Sequence, residues 1–105
     1  MGKPDTRCLD KAIQQNERKL AAVQNREMWP LTGSERRAVL GAAVSGARSL
    51  RRGNGTARAD RQMDTAWQSA ETRLIAEIVA LKTERQRVVN EAAAAKAAKK
   101  SSGWW

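Results

Sequence analysis

From Ala57 to Lys99 the chain contains neither glycine nor proline. Those are the two residues that weaken or break helices, so their absence leaves one uninterrupted helix of about forty residues, roughly 60 Å long. Whatever else the chain forms must fit alongside that element. Composition agrees, because nineteen alanines sit mostly within the stretches free of glycine and proline. Alanine loses no side-chain entropy on entering a helix. A core, by contrast, has little to work with: Leu, Ile, Val, Met and Trp supply 23 large apolar side chains in 105 residues. Sparse apolar residues with a net charge of +9 would by themselves suggest disorder, and the alanines argue against it.

The expected architecture is all-α, with three helices of which the third is very long, forming an antiparallel helical hairpin or elongated three-helix bundle with coiled-coil character. The first unit, 1–30, holds a helix that starts near Asp5 or Thr6 and stops before Pro30, with Leu9, Ile13, Leu20 and Val23 on one seam. Asn16 and Glu27 fall on the same seam. The second unit, 31–55, is a capped basic helix in which Thr32 and Glu35 form a capping box. It closes at Gly53-Asn54-Gly55, residues suited to a left-handed helix end. The third, 56–100, begins after Thr56 and carries the stripe Met63, Trp67, Ala70, Leu74, Ile78, Leu81, Val88 and Ala92, with Arg85 on the same face. Residues 101–105 form a flexible tail ending in Trp104 and Trp105. All of this is one domain.

The chemistry available is limited. No histidine occurs, which removes the commonest general base and metal ligand. Cys8 is the sole cysteine, so neither an intramolecular disulfide nor a cysteine metal site follows. No P-loop, HExxH or nucleophile-elbow pattern is present. A chain with no catalytic residues, no metal and no cofactor is therefore expected. The longest nearly apolar run, 38–47, is too short to cross a bilayer, and cytoplasmic residence is the corresponding expectation.

Charge is more informative. The second unit has five basic residues against one acidic. On a helical projection, Arg37, Arg48, Arg51 and Arg52 share one arc, with Val39, Ala43, Ala47 and Leu50 opposite. Gly41 and Ser45 lie between the arginines and would let a phosphate backbone or another helix approach. Arg73 and Arg87 are expected on the exposed side of the third helix, extending the footprint. Ala38, Ala42, Ser45 and Ser49 make a ledge suited to close helix packing. Two functions fit: a basic helical module contacting nucleic acid or a ribonucleoprotein through backbone phosphates, or a coiled-coil factor for assembly or regulation, of the kind phages encode, with charge serving solubility or an acidic partner. Self-association through the helix seams belongs to the second. Trp104 and Trp105 are candidates for partner docking. Leu31-Thr32-x-x-Glu35-Arg36-Arg37 is a common helix start and identifies no family.

Overall fold

A computed structural model of the chain describes residues 5–102, with side chains described as far as Lys99. It shows three helices: α1 (Arg7–Gln24), α2 (Gly33–Arg51) and α3 (Ala57–Ser102). With 46 residues, α3 is about 69 Å long, and the molecule measures 84 × 18 × 18 Å. Both shorter helices run antiparallel to it. The register is set by cross-pairs: Asp10 with Arg85, Glu17 with Lys82 and Arg26 with Asp64 along α1, then Glu35 with Arg73 and Gly46 against Ala59 along α2. Thus α2 covers the first half of α3 and α1 the second. The backbones of α1 and α2 stay apart, and their side chains meet on α3 in one cluster.

The ends of the helices follow local chemistry. Asp5 accepts the Arg7 amide at 3.2 Å ahead of α1. The Thr6 hydroxyl donates instead to the Asp10 carboxylate, and Thr56 does the same to Asp60. At α2 the capping box is complete, with Thr32 accepting from the Glu35 amide at 3.3 Å and Glu35 accepting from the Thr32 amide at 3.0 Å. Its far end is a Schellman motif, Asn54 donating to the Ser49 carbonyl and Gly53 to that of Leu50. Gly53 has φ +75°, as that motif requires.

The end of α1 repeats this motif without a glycine. Glu27 donates to the Ala22 carbonyl and Arg26 to that of Val23, which places Arg26 at φ +62°. A Cβ is strained there by about 1 kcal/mol. Arg26 has its own compensations, an ion pair with Asp64 at 3.3 Å and its guanidinium 5.5 Å above the Trp67 ring. Replacing Arg26 by alanine removes those contacts and keeps the strain; replacing it by glycine removes both. The glycine variant should therefore be more stable than the alanine variant by about 1 kcal/mol, the reverse of ordinary helix preference, measured by urea unfolding.

The core sits where the three helices overlap. Val23, Leu31, Val39, Ala66, Trp67, Ala70 and Leu74 form one cluster, with Leu20, Met28 and Met63 against it. The expected α3 stripe holds: Trp67, Ala70, Leu74 and Ile78 are buried and Met63, Leu81, Val88 and Ala92 half-buried. The expected α2 face does not. Ala43, Ala47 and Leu50 are exposed, and the buried side is Glu35, Val39, Ala42, Gly46 and Ser49, a rotation of roughly 60–80°. Close packing explains the shift. A Cβ added at Gly46 would lie 3.3 Å from that of Ala59, so the two backbones approach through small residues and leave the large aliphatics outside. The ledge is partly realised, since Ala42 is buried and Ser45 and Ser49 half-buried while Ala38 is exposed.

Candidate functional site

Glycine turn geometry folds α3 back beside α2, and this gathers the basic residues at one end of the rod. Residues 36–61 hold seven arginines and one carboxylate, Asp60, a net +6 of the chain's +9. All seven are exposed. Among the described residues, none of Arg36, Arg37, Arg48, Arg51, Arg52, Arg58 and Arg61 forms an ion pair.

Two adjoining open depressions lie among them. One, of about 600 Å³, runs along α2 and is lined by Leu40, Gly41, Val44, Ser45, Arg48 and Arg52, among others. The other, of about 690 Å³, lies between α2 and α3. Its wall includes Ala38, Gly41, Ala42, Arg58, Arg61 and Ser69. They meet at Gly41, where a Cβ would touch nothing within 4 Å. Small residues thus make a low floor between arginine side chains.

The expected arc of Arg37, Arg48, Arg51 and Arg52 is therefore exposed as a group, and the structure adds Arg36, Arg58 and Arg61 to the same end. The signal for Arg58 and Arg61 lay in the Gly53-Asn54-Gly55 turn, which returns them toward Gly41. Arg73 and Arg87 are placed differently from expectation. Arg73 is half-buried: its Nε donates to Glu35 at 2.7 Å, one terminal nitrogen to the other Glu35 oxygen at 2.9 Å and to the Pro30 carbonyl at 3.4 Å, and the second terminal nitrogen to Glu77 at 3.0 Å. Arg87 is exposed but clasped between Glu84 and Glu91, the latter at 2.7 Å. It lies about 44 Å along α3 from Arg58. Trp104 and Trp105 fall outside the described residues.

Electrostatics divide the rod in the same way. The Arg73 guanidinium holds the Glu35 carboxyl below the usual carboxylate range, and Glu35 in turn raises Arg73. Arg85 lowers Asp10, and Arg87 lowers Glu84 while being raised by it. Cations toward the α1 end are mostly matched by carboxylates, and those at the α2 end are not. No group of three or more His, Cys, Asp or Glu residues among those described could hold a metal ion. No described helix is long and apolar enough to cross a membrane. No family model, curated protein or solved structure matches the chain.

Proposed function

We propose that the protein is a non-enzymatic binding module whose α2 end holds nucleic acid through its phosphate backbone. The observation that carries this reading is the cluster of seven exposed arginines without carboxylate partners. A guanidinium is a planar cation whose donors fit a phosphate bidentately. Neutralising phosphates releases condensed counterions, which supplies affinity without reading sequence. The low floor at Gly41 lets a backbone approach between Arg48, Arg52, Arg58 and Arg61.

The test is a salt titration of binding to mixed-sequence DNA and RNA. Affinity should fall steeply with salt, and replacing Arg48 and Arg51 with alanine should flatten the slope of log K against log salt by about one to two units. Arg87→Ala should leave that slope nearly unchanged, because this arginine is already neutralised by Glu84 and Glu91. Absence of binding at about 0.1 M salt would remove the proposal.

A second reading draws on a different observation. Leu40, Val44 and Leu50 are 53%, 52% and 66% exposed beside the same arginines. Such a mixed apolar and basic face suits an acidic amphipathic helix of a partner protein. Recovery of the same partner after nuclease treatment would favour it.

A further inference from the structure

The cations at the α2 end of the rod fall into two groups with a bare interval between them. Arg36 and Arg37 stand just past the first turn of α2, and Arg48, Arg51 and Arg52 at its far end. Arg58 and Arg61 join the second group from α3, on the flank where they share a depression with Gly41. From 38 to 47 the chain carries no charge at all. Arg37 and Arg48 are nearly in line on the helix, about 16 Å apart along its axis. Leu40 and Val44 lie between them on the same outward side, 53% and 52% exposed. The Arg37 guanidinium does not reach into the interval: it lies back toward Gly33, where an added Cβ would stand 3.7 Å from it.

The fold gives no reason for the first group. A helix favours carboxylates near its amino end, and cations there oppose its dipole. Arg36 and Arg37 are exposed and, among the described residues, form no ion pair. Two cations are thus kept where the electrostatics of α2 do not ask for them.

Spacing decides which kind of nucleic acid suits the two groups. A single strand carries a phosphate at every nucleotide, and proteins that hold one follow it with continuous positive charge and stack its bases on aromatic rings. Neither device is present at this end. The bare interval would leave phosphates unmatched, and residues 30–66 contain no aromatic side chain. Trp29 precedes α2, at the end away from the larger group, and Trp67 is buried. A duplex instead sets its phosphates on two walls with a groove between, about 12 Å across for the major groove of DNA. The shallow minor groove of an RNA helix is also wide. Two cationic groups about 16 Å apart, with uncharged side chains between, match two such walls and the opening that separates them.

Resting on the phosphate-binding function proposed above, we infer that the α2 end binds double-stranded nucleic acid by lying across one groove. One strand is held by Arg48, Arg52, Arg58 and Arg61, and the other by Arg36 and Arg37. Leu40 and Val44 face the opening, where there is no phosphate to neutralise. A single strand engages the larger group alone.

The test measures binding of the full chain, at about 0.1 M salt, to a DNA duplex and an RNA duplex of about two helical turns, and to oligothymidylate and oligouridylate of the same length. At least one duplex should bind about tenfold more tightly than either single strand; which duplex it is tells whether the groove crossed is the major groove of DNA or the minor groove of RNA. Replacing Arg36 and Arg37 together with alanine should weaken duplex binding about tenfold and lower its salt slope by about one to two units, while single-strand affinity stays within about twofold. Replacing Arg48 and Arg51 should weaken both. The circular dichroism spectrum should be unchanged in either variant, since these arginines hold no partner in the fold. Single strands bound as tightly as both duplexes, or an equal loss for duplex and single strand on replacing Arg36 and Arg37, would overturn this inference and leave the function proposed above standing. Binding of none of the four would overturn both.

Discussion

Leu74→Ala should cost about 3–4 kcal/mol of folding stability, the range for removing a large aliphatic from a site that cannot collapse around the gap. Leu74 is 0% exposed and belongs to the cluster where all three helices meet. Its neighbours there come from α1 (Val23), from the segment after Pro30 (Leu31), from α2 (Val39) and from α3 itself (Ala66, Trp67, Ala70). In a chain this short, whose whole stability is of order 5–10 kcal/mol, such a loss shifts the urea midpoint far toward zero. Leu40→Ala is the matched control. Its side chain is 53% exposed and lies on the outer side of α2, so its effect should stay within about 0.5 kcal/mol. Equal losses at the two positions, measured by urea unfolding followed by circular dichroism, would mean that the core is not where α1, α2 and α3 overlap.

The second large effect concerns Glu35 and Arg73. The Glu35 carboxylate completes the capping box of α2 and at the same time accepts two bonds from Arg73. Side-chain exposures of 13% and 28% put this fork in partial shelter, where a bidentate pair is stronger than at an open surface. Arg73→Ala leaves a half-buried carboxylate without its cation and frees the Pro30 carbonyl, and should cost about 2 kcal/mol. Arg73→Lys should recover only part of it, because an ammonium cannot match both oxygens in one plane. The pH dependence has a definite sign. Glu35 is lowered in the folded state, so the stabilisation is complete at neutral pH, above the unfolded carboxyl value. It disappears as pH falls through the folded one, that is, in the acid range below the ordinary glutamate value of about 4.3. The difference in stability between wild type and Arg73→Ala should therefore shrink on acidification below about pH 4; a difference independent of pH would assign the effect to packing alone.

How far the sequence reveals this architecture depends on how local each determinant is. Thr32 with Glu35, and Gly53 with its neighbours, announce both ends of α2, because the interactions that make a cap or a Schellman turn span only a few residues. The apolar stripe of α3 is equally plain, since Trp67, Leu74 and Ile78 are large and regularly spaced. The end of α1 was hidden. Arg26 occupies a left-handed position where glycine would be the sign, and what holds it there, Asp64 and the Trp67 ring, lies far away in sequence. The face of α2 is hidden for a related reason: its packing relies on the small residues Ala42 and Gly46, whereas the large apolar Leu50 lies outside. For the basic end, the arc from Arg37 to Arg52 could be read from periodicity alone. That Arg73 does not belong with it could not, because its partner Glu35 is on another helix.

Along α3, α1 and α2 lie end to end, their backbones apart and their side chains sharing one cluster. The molecule is mechanically two half-rods in series, joined at the stretch from Trp67 to Leu74. Val23 of α1 and Val39 of α2 both pack into the cluster at this joint, so a change in how α2 lies on its half reaches α1 through the stretch from Trp67 to Leu74.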